Sequence, residues 1–140
     1  LWEVGRRLRD EEVLYAIEWM WDQSIPELVD DLFERNGPHG GPKETAMIMH
    51  LAEELVRTDR LEDARDDGWA NFEVERENTH GARTYYDAIE NSDNGVFGDQ
   101  TGATPEKGEQ LFEAATEQLV RLCEWLDSQE YRTLMPNAHV

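Results

Sequence analysis

The chain has 140 residues, with 32 Asp and Glu against 13 Lys and Arg, a formal net charge of -19 and a pI near 4.4. That is one domain's worth of sequence, long enough for a real core, and a charge surplus of this sign excludes a phosphate backbone as partner, so no nucleic acid is expected. Five Trp, four Tyr and four Phe exclude a disordered chain, the single Cys123 excludes an internal disulfide or a cysteine-built zinc site, and no apolar run reaches the roughly 20 residues of a membrane span.

In chain order, Leu1, Val4, Gly5 and Leu8 keep helical spacing with Arg6, Arg7 and Arg9 between them, so the sequence begins inside a helix. After Asp10-Glu11-Glu12, the continuous apolar run Val13–Ile17 reads as a strand of a parallel sheet covered on both faces. It leads into Glu18-Trp19-Met20-Trp21-Asp22, at the strand's carboxyl end, where ligands of open α/β sheets bind. Ser24 is placed to cap a helix with Pro26 in its first turn and Leu28, Val29, Leu32 and Phe33 on its apolar face, and Gly37 is placed to end it. A second helix is expected from Lys43 to Arg57, burying Met47, Ile48, Leu51 and Leu55.

Residues 58–103 are rich in turns, with a weak strand signal around Phe72-Glu73-Val74. Thr104-Pro105-Glu106 is a cap, a first-position proline and a first-turn acid, opening a helix to Ser128 that should bury Leu111, Phe112, Ala115, Leu119, Leu122, Cys123 and Leu126. Residues 130–140 read as a loosely held tail. One apolar strand cannot form a sheet by itself, so a segment before Leu1, or another chain, is expected to complete the fold.

The residues best placed for chemistry are Pro38-His39-Gly40-Gly41-Pro42-Lys43-Glu44-Thr45. Adjacent glycines let a ligand approach the backbone, and the helix behind them presents unpaired N–H groups and a partial positive charge. His39 is either a solvated loop histidine or a base or ligand presented by that turn. Glu44 is a first-turn acid or a metal ligand. Trp19 and Trp21, on one face of the expected strand, are core residues or the wall for a planar ligand. Asp22 caps the following turn or reaches into a site, and the loop Asn94–Asp99 is an ordinary tight loop or carries Asp99 to a site or an interface, with the ordinary role favoured for both; His50 and His80 read as structural. The acid excess, with Lys43 and Lys107 the two lysines, resembles that of proteins from salt-loving organisms, where counterions screen self-repulsion. A reduced, cytoplasmic setting fits the lone cysteine.

His39-Gly40-Gly41-Pro42-Lys43-Glu44-Thr45 resembles the His-Gly/Ala-Gly-x-x-Glu-Thr motif of the creatininase (creatinine amidohydrolase) family. Gly95-Val96-Phe97-Gly98-Asp99 and Ala103-Thr104-Pro105-Glu106-Lys107-Gly108 are similar to that family's Gly-Val-x-Gly-Asp loop and Ala-x-x-Glu-Lys-Gly helix start, and Trp21-Asp22 to its aromatic-Trp-Asp strand ending. The matches occur in order over about residues 1–128. The resemblance implies a three-layer α/β fold with a mostly parallel sheet, of which residues 1–128 supply the C-terminal portion, and assembly as a homohexamer.

It also implies a metal-dependent amidohydrolase that opens a non-peptide C–N bond of a cyclic amide or formamide with metal-activated water. His39 would be the catalytic histidine, Trp21 would line the pocket of a small-molecule substrate, and Glu44 would stand at the divalent metal site (Zn, Mn or Fe). The family's other ligands, a Glu-x-His pair, an Asp and a further His, have no equivalent here, so the metals are expected to be held mostly by residues outside this chain and the chain alone to be inactive. Pro38 replaces the acid that precedes the histidine in creatininase, and a second pocket tryptophan has no counterpart between Gln23 and Pro38. The alternative is a non-catalytic remnant acting as an assembly partner.

Overall fold

The computed structural model describes residues 1–13, 18–34, 37, 39–64, 92 and 94–134. They form five α-helices: α1 (Trp2–Asp10), α2 (Pro26–Leu32), α3 (Pro42–Ala52), α4 (Pro105–Asp127) and α5 (Tyr131–Leu134). Short 3₁₀ turns lie at Asp22–Ser24, Glu53–Leu55, Thr58–Arg60 and Gln100–Gly102. The expected parallel sheet is not seen among the described residues, which hold two isolated antiparallel bridges, His39 with Phe97 and Asp63 with Asp99. The strand run 13–17 lies outside the described residues except for Val13, which is exposed. Phe72 to Val74, His80, Pro38 and His139 also lie outside them.

The chain divides into two compact units, Leu1–Pro26 with Glu113–Val140, and Glu27–Phe112. In the first, Glu3 of α1 pairs with Arg6 at 2.8 Å and Arg7 at 3.1 Å. These pairs are solvent-exposed, so each stabilises the helix by only about 0.3–0.5 kcal/mol. The Asp10-Glu11-Glu12 break is a left-handed termination. Glu12 takes φ 55, its N–H reaches Arg9 O at 3.0 Å, and Val13 N–H reaches back to Leu8 O at 2.9 Å. The two bonds satisfy carbonyls that a helix end leaves unpaired, at the cost of a conformation that favours glycine. In the segment read as a loose tail, α5 forms and the Tyr131 hydroxyl donates to Arg9 O at 2.6 Å.

The expected Ser24 cap does not form. Ser24 closes its own 3₁₀ turn, its hydroxyl donating to Trp21 O at 2.6 Å, and α2 starts two residues later. Trp19 and Trp21 are both half-buried.

In the second unit, α2 buries Val29 and is followed by the buried Phe33. α3 ends at Ala52 rather than Arg57, and its buried face is Pro42, Thr45, Ala46 and Met49. The predicted face is turned outward: Ile48, Leu51 and Leu55 are exposed and Met47 is half-buried. The reason is the first turn of α4. Gly108 lies so close to α3 that a Cβ there would overlap the carbonyl oxygen of Ala46 and stand 2.9 Å from His50 Cβ. Small residues meet where two helix backbones nearly touch, and larger apolar residues are excluded from that seam.

The start of α4 is as expected. Thr104 Oγ1 accepts the Lys107 N–H at 3.3 Å, and Glu106 occupies the first turn. Its carboxyl is held below the ordinary glutamate range, first by a backbone hydrogen bond and second by the Thr104 side chain. Leu111 and Ala115 are buried as predicted, but Phe112, Leu119 and Cys123 are exposed and Leu122 and Leu126 half-buried, so the buried stripe of α4 is narrower than its apolar pattern. Among the described residues no helix is long and apolar enough to cross a membrane.

Candidate functional site

The second unit brings the His39 turn and the Gly95–Asp99 loop together, backbone against backbone. Phe97 N–H donates to His39 O at 2.8 Å. A Cβ on Gly98 would stand 2.8 Å from Gly41 Cα and 3.1 Å from Gly37 Cα, so this approach requires a residue without a side chain. The same loop is pinned on its other side, where Ala64 N–H donates to Gly98 O at 3.0 Å and Gln100 N–H to Glu62 O at 2.9 Å. Within the loop, Asn94 Oδ1 accepts Val96 N–H at 2.8 Å and Ser92 Oγ accepts Gly95 N–H at 2.9 Å. Such local bonds hold an irregular loop in one shape. Asp99 takes the ordinary role, its Oδ1 accepting Thr101 N–H at 3.0 Å.

Next to this junction lies a cleft of about 710 Å³, within the usual size range of small-molecule sites. Gly40, Glu44, Thr45 and Ile48 of the turn and α3 line it, with Leu55, Val56, Arg57, Arg60, Leu61 and Glu62 from the following segment and Asn94, Val96 and Gln100 from the loop. Ile48 and Leu55, expected in the core, are therefore cleft residues.

Of the three residues singled out from the sequence, Glu44 lines the cleft. His39 is exposed and sits one residue from the cleft wall, joined to it by Gly40, whose φ of +61 turns the chain there. Trp21 belongs to the first unit.

Glu44 Oε2 accepts the Gly41 N–H at 3.1 Å, the back-reaching half of a capping box. Gly41 has no side chain to supply the other half, and its carbonyl starts the helix by accepting Thr45 N–H at 3.0 Å. Thr45 is buried, and Gln100 Nε2 approaches its hydroxyl at 3.4 Å, so Glu44 and Thr45 fasten the helix start to the turn and the loop. Lys107 is held likewise, donating to Gly102 O at 2.8 Å with its ammonium 4.8 Å from the Phe33 ring centroid. His50 is structural, half-buried with its ring 5.5 Å from that of Phe112.

Among the described residues no three His, Cys, Asp or Glu side chains are grouped as metal ligands. With one Glu44 oxygen engaged as a helix cap, these residues do not by themselves fit a metal centre. Sequence reasoning missed Arg57, Arg60, Glu62, Asn94 and Gln100. Arg57 read as the last residue of the second helix, and nothing in the sequence announced that α3 would stop at Ala52 and that the next segment would line the cleft.

A family model described as creatinine amidohydrolase matches residues 1–123. No curated protein and no solved structure matches the chain.

Proposed function

The chain belongs to the creatininase family, whose members are amidohydrolases, and from that premise we propose that the His39 turn serves hydrolysis of a non-peptide C–N bond in a cyclic amide or formamide. The observation that carries this reading is the junction itself. Two separate motifs, the His39 turn and the Gly95–Asp99 loop, meet backbone to backbone beside a cleft of substrate size. On this reading the exposed His39, whose chain neighbour Gly40 lines that cleft, takes a proton as water attacks the amide carbon and returns it to the leaving nitrogen. Gly40 leaves room for the amide to approach the backbone. Glu44 positions the turn by holding Gly41 N–H.

The divalent metal that the family implies is held, on this reading, mainly by groups other than the described residues, with Glu44, five residues after the histidine, as the acid this chain contributes. Trp21 remains the candidate pocket aromatic, and homo-oligomeric assembly and a cytoplasmic setting go with the same proposal. The test is to express the protein natively, measure its intact mass and bound metal on one sample, and assay a panel of formamides and cyclic amides. Hydrolysis by the metal-bearing protein supports the reading, and inertness toward the whole panel sinks it. If residues 1–140 alone bound two divalent ions tightly and hydrolysed an amide, the placement of the ligands elsewhere would be wrong.

A further inference from the structure

The cleft beside the His39 turn contains a pair of arginines that the amide chemistry does not use. Arg57 and Arg60 both line it and sit one short turn apart, Arg60 N–H donating to Arg57 O at 2.9 Å. In a chain with 32 acids and 13 bases, an arginine ordinarily finds a carboxylate. The ion pairs among described residues go instead to Arg6, Arg7 and Arg121. The two acids of the cleft are turned to other uses, Glu44 accepting Gly41 N–H and Glu62 accepting the Asn94 side-chain amide. Much of the remaining wall is apolar, from Ile48, Leu55, Val56, Leu61 and Val96. A cleft with apolar walls, lined by two arginines that no described acid pairs, fits a molecule with an apolar body and one anionic end. Arginine, a planar fork of donors, grips carboxylate or phosphate oxygens in pairs.

We propose that Arg57 and Arg60 form an anion subsite in this cleft, selecting a substrate that carries a carboxylate or phosphate group in addition to the bond to be cleaved. That substrate role rests on the amidohydrolase reading. The subsite itself is tested by binding, so the two fail separately. The residues 1–140 protein, labelled for NMR, is titrated with inorganic phosphate and, in a second series, with acetate, at ionic strength held constant with sodium chloride. Saturable shifts of the Arg57 and Arg60 side-chain N–H signals, with Arg6, Arg7 and Arg121 unmoved, are the expected result. Saturation by phosphate alone assigns a phosphate group, and saturation by acetate a carboxylate. Arg57→Gln and Arg60→Gln should each weaken the binding about tenfold, the loss of one charge-assisted pair. Both side chains are exposed, so neither change removes core packing. No saturable shift at either arginine with either anion, or equal shifts at all five, would overturn the proposal. A protein that binds anions at these residues but hydrolyses no amide keeps the subsite and loses the enzyme.

Discussion

Replacing Gly108 by Ala separates this packing from an ordinary helix. At an open helical position Gly→Ala stabilises by about 1 kcal/mol, since alanine has less backbone freedom to lose. In α4 the new methyl would overlap the Ala46 carbonyl oxygen, 2.6 Å from the carbonyl carbon and 2.9 Å from His50 Cβ. Ala46 is fully buried and its carbonyl belongs to a helix, so relief requires α3 and the start of α4 to part. Overpacking of this kind costs about 1–3 kcal/mol, and an obstacle made of backbone places it near the upper end. The net effect should be a loss of about 2 kcal/mol, or about 6 °C in Tm for a chain of this size. Urea unfolding followed by circular dichroism measures it, as a lower midpoint at unchanged slope. A Gly108→Ala protein as stable as its parent, or more stable, would refute the close α3–α4 contact, because the two effects have opposite signs.

Glu44→Ala should cost about 1 kcal/mol by releasing Gly41 N–H, whereas Glu44→Gln keeps an acceptor there and should fall within about 0.5 kcal/mol of the parent in the same melts; lost hydrolysis in the glutamine variant would show that the charge is needed beyond the cap. Glu106 should titrate below the ordinary glutamate range by NMR, and Thr104→Ala should move it upward, since the Thr104 side chain is the second cause of the shift. A folded value below the unfolded one means that its contribution to stability is present above the unfolded pKa and fades as pH falls through the folded value. Tyr131→Phe removes the 2.6 Å bond to Arg9 O and should cost about 0.5 kcal/mol, with faster hydrogen exchange in α5; unchanged exchange would mean that the bond does not hold this turn.

The starts of α1, α3 and α4 were legible because they are written locally, whereas the Ser24 cap expected for α2 was taken up by a 3₁₀ turn. Thr104 before Pro105, glycines before Pro42 and the arginine-rich first helix specify backbone states through caps and spacing that need no distant partner. Burial was less legible. The apolar residues of α3 pointed to Met47, Ile48, Leu51 and Leu55, but the seam belongs to Thr45 and Ala46, because a glycine far along the chain sets how closely the helices approach. Apolar spacing shows that a face exists, and the size of the partner decides which face is buried. The His39 turn was visible from its glycines, and the purpose of the Glu44-Thr45 pair became clear only with the Gly41 and Gln100 contacts. Arg57 and Arg60 were invisible as site residues, since their place depends on α3 ending at Ala52 and on the next segment lining the cleft.

The central claim is that His39 moves the proton in an amide hydrolysis. It is tested most directly by comparing kcat of the natively expressed protein with that of its His39→Ala variant on the amide found in the panel assay. Loss of the proton-transfer group predicts a fall of about 100-fold or more in kcat, with KM and the urea midpoint little changed because the side chain is exposed. Turnover equal to the parent's would contradict the account and leave His39 a solvated loop histidine.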